Sequence, residues 1–285
     1  MATDVPLVRR LIATQFPQWA DLPVERVASR GTVNAIYRLG ADKAVRLPLR
    51  EGGANDAETE CRWLPYLAPR LPFAIPAPLA QGVPGQGYPW SWSVCRWLGG
   101  GNPGRDNPVD PLPFAADLAE FVTAIRRVDP ADGPVAYRGE TLASRDTATR
   151  AAIAALRGHL DTAATTTAWD EALRAPAASG PAVWVHGDLQ PGNVLVADGR
   201  LGAVIDFGCM GLADPAVDLI AAWYLLPSGA RGSFRTAVAA DDATWARGRG
   251  WALSIALMEL SYYRETNLLM AATARQVIGE LLGAG

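Results

Sequence analysis

Eight residues, HGDLQPGN from His186 to Asn193, set an acid, two amides, two glycines and a proline between apolar runs. Asp188 and Asn193 offer a carboxylate and an amide oxygen five positions apart, and Asp206 follows in VIDFG with a second carboxylate. Between them, Asp198-Gly199 reads as a two-residue hairpin loop that sets Ala197 opposite Arg200 and Asn193 opposite Val204. Side chains alternate with period two, so this register puts Asn193 and Asp206 on one face at the open end of the hairpin. Asp188, in the Gly/Pro loop that enters the hairpin, is placed to reach the same region. Two acids and an amide oxygen suit Mg²⁺, which keeps water and phosphate oxygens as its other ligands.

The elements that must position these groups change character along the chain. Before about Gly99 the pattern is mainly strand: RVASRG, NAIYRLG, KAVRLPL and SWSVCRWL, with one helix over Asn55–Ala68 that Pro65 should kink or shorten. The Pro/Gly-rich stretch 69–89 reads as a loop. Beyond Gly99 the period is helical in FAADLAEFVTAIRRV, TATRAAIAALRGHL, PAVDLIAAWYLL, WARGRGWALSIALMELSYY and ATARQVIGELL, interrupted by strand signals in VWVHGD and around the hairpin. The expected architecture is α+β, with a β-rich N-terminal lobe over residues 1–98 and a larger helical lobe over 99–285.

With 285 residues, 49% hydrophobic and 19% charged, the composition is that of an ordinary globular protein. The N-terminus has no apolar run of leader length, and the longest charge-free run is broken by five prolines and three glycines, so neither a leader nor a membrane partner is expected. Cys61, Cys95 and Cys209 stand far apart and fit reduced thiols in a cytoplasm better than a disulfide framework. A net charge of −3 argues against a nucleic-acid partner. Lys43 is the only lysine in the chain.

HGDLQPGNVLV followed by VIDFGCMGLADPAVDL resembles the aminoglycoside and macrolide phosphotransferase family, small-molecule kinases of the bilobal protein-kinase-like fold, from about Arg26 to Ala222. The resemblance is weakest over the last sixty or so residues. It implies an Mg²⁺-dependent transfer of the γ-phosphoryl of ATP or GTP to a hydroxyl of a small molecule. In that frame Asp188 accepts or orients the proton of the substrate hydroxyl, while Asn193 and Asp206 hold the metal. His186 reads as a hydrogen-bonded strut or a general base, the strut being favoured by analogy. The resemblance also gives Asp214 and Asp218 a part in fixing the metal and catalytic loops, and structure is put ahead of catalysis for both. For Asp214 the plainer alternative is a helix N-cap ahead of Pro215.

In the N-terminal lobe SRGTVNAIYRLG looks like the nucleotide-covering turn, with Ser29, Gly31 and Asn34 in place of a glycine triplet; an ordinary hairpin would explain it as well. Cys95, Arg96 and Trp97 fall where the linker between kinase lobes carries the base. The phosphate-holding lysine expected on the third strand is missing. KAVRLPL offers Ala44-Val45-Arg46 in the register of A-I-K, and parity puts Ala44 and Arg46 on one strand face, Lys43 and Val45 on the other. Arg46 is therefore the expected clamp, paired with Glu60, with Glu58 the weaker alternative on another side of the helix.

Other chemistries lack their residues. GGGNPG matches G-x-G-x-x-G but opens no long helix, and neither a P-loop nor a G-x-S-x-G elbow occurs. His159 and His186 are too few for a zinc or two-metal phosphoesterase site. Kinases of choline, homoserine or sugar type and a nucleotide-binding pseudokinase remain alternatives, the intact Asp188, Asn193 and Asp206 counting against the last. Candidate acceptor contacts are Asp241, Asp242, Glu259 and Glu265 for a cationic sugar, or Trp223, Trp251, Tyr262 and Tyr263 for a macrolide ring. A monomer is expected, with a dimer possible.

Overall fold

The computed structural model describes residues 3–28 and 33–283. In chain order the first half contains α1 (Val5–Gln15), β1 (Val24–Arg26), β2 (Asn34–Leu39), β3 (Lys43–Pro48), α2 (Glu51–Leu67), β4 (Pro78–Gly82), β5 (Trp92–Arg96), α3 (Pro111–Arg127) and α4 (Asp146–Ala155). The second contains α5 (Thr162–Leu173), β6 (Val183–Val185), β7 (Val194–Ala197), β8 (Arg200–Val204), β9 (Gly211–Ala213), α6 (Ala221–Tyr224), α7 (Ser228–Ala237), α8 (Asp242–Tyr263) and α9 (Leu268–Leu282). The architecture is α+β. Two compact units form: Met1–Pro108 with Gly192–Cys209, and Val109–Pro191 with Met210–Gly285.

The first unit is built on an antiparallel sheet of order β1-β2-β3-β5-β4. A helix, rather than the expected strand, comes first. In α1, Leu7, Val8, Leu11 and Ile12 form one apolar stripe that packs on Tyr37, Leu39, Val45, Leu47 and Trp92, and Asp4 Oδ1 caps it by accepting the Leu7 N–H at 2.8 Å. The stretch expected as a loop holds β4, whose Pro78 is tolerated because the strand begins there at the sheet edge. Helix α2 starts at Glu51, earlier than expected, and runs through Pro65. Proline inside a helix costs about 3 kcal/mol. Leu64 and Leu67 on either side of it are fully buried, at about 1.5–3 kcal/mol each.

The β7–β8 hairpin belongs to this unit, since Val196 exchanges backbone bonds with Gly101 and the Val204 N–H donates to Ala74 O. Its loop has φ +50° at Asp198 and +75° at Gly199, the two positive angles that a primed turn demands. Past the loop the expected register fails. Ala197 faces Arg200 and Val196 faces Leu201, but Leu195 then faces Ala203 and Val194 faces Val204. Gly202 is left unpaired as a bulge, so Asn193 comes opposite Ile205 rather than Val204.

The second unit packs around α8, buried from Gly250 to Leu257 and in contact with α4, α5, α9 and the 3-10 turn Pro215–Ile220. That turn takes half of the stretch expected as an α-helix, leaving only α6 in α geometry. α5, α7 and β9 were not anticipated. β9 pairs antiparallel with β6 and so braces the strand that leads into His186. Among the described residues no helix is long and apolar enough to cross a membrane.

The cap on α1 gives a direct check of why that helix forms. Asp4→Ala should lower stability by about 1 kcal/mol, read as a lower denaturant midpoint at unchanged slope; an unchanged midpoint would remove Asp4 as the cap.

Candidate active site

In the first unit β3 presents Arg46 on the face turned away from α1. Arg46 Nη1 lies 2.5 Å from Glu60 Oε2 and Nη2 lies 3.4 Å from Asp206 Oδ1. Burial opposes the guanidinium charge, but the Glu60 and Asp206 carboxylates outweigh it and raise the Arg46 pKa above its ordinary range. Burial raises the Glu60 pKa, with Arg46 working in the other direction. Glu60 Oε1 is buried with no hydrogen-bond partner among the described residues, so Arg46 is what compensates this carboxylate. Lys43, on the other face, pairs with Asp42 at 2.7 Å and lies over the Trp19 ring. Glu58 accepts from Ser91 Oγ at 2.7 Å and takes no part in the Arg46 pair.

Asn193 closes a 3-10 turn, Pro191–Asn193, and its carbonyl accepts the Ile205 N–H at 2.8 Å. The next residue, Asp206, leaves the ladder with φ +62°, a conformation that costs a non-glycine residue about 1–3 kcal/mol. Period-two alternation therefore does not govern where either side chain points. The backbone pair at Asn193 and the left-handed turn at Asp206 place them one residue apart in register. The Asp206 side chain is 46% exposed, although its Oδ1 meets Arg46. A carboxylate and an amide oxygen are hard donors, and a partly open pair of this kind fits Mg²⁺, which fills its octahedron with water and phosphate oxygens. Among the described residues no three His, Cys, Asp or Glu side chains form a set that would hold a metal unaided.

Ser29 and Gly31 lie outside the described residues. Asn34 opens β2 opposite Pro48. Cys95 is buried in β5 opposite Ala44, with burial pushing its thiol up to about 11. Arg96, the last residue of β5, is opposite Lys43. The Trp97 N–H donates to Asp42 O at 2.8 Å and its ring lies 4.4 Å from Arg38 Cζ, so its amide already closes the end of the sheet.

In the second unit β6 ends at Val185 and the chain turns sharply. The His186 and Gly187 N–H groups both donate to Asp218, to Oδ2 and Oδ1 at 2.8 Å each. Gly187 has φ +83°, which a side chain would strain. His186 is fully buried and its Nδ1 accepts the Asp188 N–H at 3.1 Å, the geometry of a strut. Burial raises the Asp218 pKa, while His186 and the two backbone donors lower it. Asp214 caps the following turn through the Ala216 N–H and is also held by Arg247 Nε at 2.6 Å.

Asp188 itself is gripped at one oxygen. Arg138 Nη2 lies 3.1 Å from Oδ1, and Gln190 Nε2 donates to the same atom at 3.0 Å. Arg138 Nη1 also donates to the Gly187 carbonyl. Arg138 and Gln190 were not expected from sequence as parts of this site. Gln190 was legible within HGDLQPGN as a donor two residues from the acid, whereas Arg138 carries no local signal.

The family model of the phosphotransferase enzyme family matches residues 24–251. The chain belongs to that family. No curated protein sequence matches it. This phosphotransferase is similar in structure to the GDP complex of aminoglycoside 2'-phosphotransferase-IIIa, at 21% identity and TM-score 0.77 over 99% of each chain. Macrolide 2'-phosphotransferase MphH from Brachybacterium faecium is similar at 22% identity and TM-score 0.66, over 98% of this chain and 97% of the other. Macrolide 2'-phosphotransferase type I is similar at 19% identity and TM-score 0.68, over 97% of each. These likenesses establish the protein-kinase-like fold.

The Arg46 arrangement separates two strand registers. Arg46→Lys should raise the nucleotide KM by roughly tenfold, since an ammonium cannot serve Glu60 and Asp206 as a fork does, and Lys43→Ala should leave the KM unchanged. Initial-rate kinetics against nucleotide decide it; a damaging Lys43→Ala with a silent Arg46→Lys would reverse the assignment.

Proposed function

We propose that this phosphotransferase moves the γ-phosphoryl group of ATP or GTP to a hydroxyl of a small molecule, an aminoglycoside or a macrolide. Asp188 accepts the hydroxyl proton as the acceptor oxygen bonds to the γ-phosphorus, and the bond to the bridging oxygen breaks to release the nucleoside diphosphate. The observation that carries this reading is the restraint of Asp188: Arg138 and Gln190 meet one carboxylate oxygen on a loop pinned by buried Asp218. A carboxylate held that closely suits orientation of a hydroxyl, which is where most of a phosphoryl-transfer enzyme's effect resides.

Asn193 and Asp206 would hold Mg²⁺, which neutralises charge on the β- and γ-phosphate oxygens when bound. Arg46 is assigned to the α- and β-phosphates, with Glu60 fixing its orientation. Support for nucleotide as donor comes from the GDP and ADP complexes among the structural neighbours. The acceptor class is supported by neighbours described with kanamycin, gentamicin and streptomycin, and by the macrolide enzymes.

A coupled assay of nucleoside diphosphate release, run with ATP and GTP against kanamycin, gentamicin, streptomycin, erythromycin and choline, with and without Mg²⁺, tests the reading. An antibiotic acceptor should turn over in the presence of Mg²⁺. Asp188→Asn should then cut kcat by about 10²–10⁴-fold and leave nucleotide affinity unchanged. Turnover with choline alone would replace the acceptor class, and wild-type turnover in the Asn variant would remove Asp188 from the mechanism.

A further inference from the structure

Gln190 is held by a second carboxylate besides Asp188. Its one amide nitrogen donates to Asp188 Oδ1 at 3.0 Å and to Glu259 Oε1 at 2.6 Å, so two acids divide its two hydrogens. Tyr224, from α6, donates its hydroxyl to the other Glu259 oxygen at 2.8 Å. Both Glu259 oxygens are thus engaged inside the protein.

We propose that Glu259 is a positioning residue for Asp188: its ionised carboxylate fixes the Gln190 amide with the NH₂ turned toward the Asp188 carboxylate. The inference rests on Asp188 being the group that receives the acceptor proton. An amide set between two carboxylates has one favourable orientation while both are ionised. A proton on Glu259 Oε1 turns that oxygen into a donor, which calls for the amide oxygen of Gln190 and swings the carbonyl toward Asp188 Oδ1, where it repels. The groups that face Glu259 are Asp188 and Gln190 from the loop after β6, Tyr224 from α6 and Arg138 from the segment after α3. Burial pushes the Glu259 carboxyl up to about 7, with Gln190 opposing, Asp188 adding to the rise, and Tyr224 and Arg138 opposing it. Kinase activity should therefore fall as the pH drops through this value.

The test uses the full chain labelled with ¹⁵N-glutamine, its Gln190 side-chain NH₂ signal assigned by loss in Gln190→Ala, together with kcat–pH profiles on whichever panel acceptor turns over. In the wild type the NH₂ signal should titrate with a midpoint near 7 and kcat should fall on the acid side. In Glu259→Gln the signal should be flat, the acid limb absent, and kcat lower by roughly 10–100-fold at unchanged nucleotide KM, the scale of a misplaced catalytic group. Tyr224→Phe should raise the midpoint, because the lost O–H favours the ionised carboxylate. An NH₂ midpoint and acid limb that survive in Glu259→Gln, or a midpoint that Tyr224→Phe leaves in place, would overturn the proposal. If no acceptor turns over while the midpoint vanishes in Glu259→Gln, the positioning stands and the acceptor reading falls.

Discussion

The buried carboxylate of Asp218 is the constraint on which the loop after β6 hangs. Taking a carboxylate out of water costs several kcal/mol unless its lone pairs are met, and here consecutive backbone N–H groups, those of His186 and Gly187, meet one oxygen each. The same two bonds satisfy donors at the end of β6 that a turning chain would otherwise leave unpaired. His186 then holds the Asp188 N–H, and Arg138 closes the loop from outside through the Gly187 carbonyl. The backbone of Asp188 is thus held by His186, and its side chain by Arg138 and Gln190.

A different solution serves the first unit. The resemblance gives Arg46 the place where kinase-fold chains usually carry lysine, and an arginine there is more than a swap of one cation for another. A guanidinium can place one nitrogen on Glu60 and another on Asp206, while an ammonium is a point charge. The cost is a largely buried cation, sustained by the acids around it. Asp56, whose pKa is raised by burial and then by Asp206, shows how crowded with negative charge this corner is and why a permanently charged arginine suits it.

What could be read from the sequence follows the regularity of the backbone. Between β2, β3 and β5 the ladder has no irregularity, so parity alone separates Arg46 from Lys43. In the β7–β8 hairpin the turn was legible from Asp198-Gly199, but the Gly202 bulge shifted everything beyond it by one residue. β4 was hidden because proline reads as loop until the strand is known to lie at an edge, and α1 because an amphipathic stripe of three turns carries little periodic signal. Asp188, Asn193 and Asp206 stood out because chemistry forces them close together in the chain. Arg138 and Glu259 reach the same loop from two distant segments, with Tyr224 behind Glu259 from a third, and only folding brings them together.

Hydrogen exchange in Asp218→Asn tests the central claim most directly, because asparagine keeps the volume but offers one acceptor oxygen and turns an NH₂ toward a backbone donor. The His186 and Gly187 amides should lose protection and kcat should fall, while the Val194 and Val204 amides of the hairpin keep theirs and nucleotide affinity holds. His186 and Gly187 amides as protected in the Asn variant as in the wild type would contradict the account.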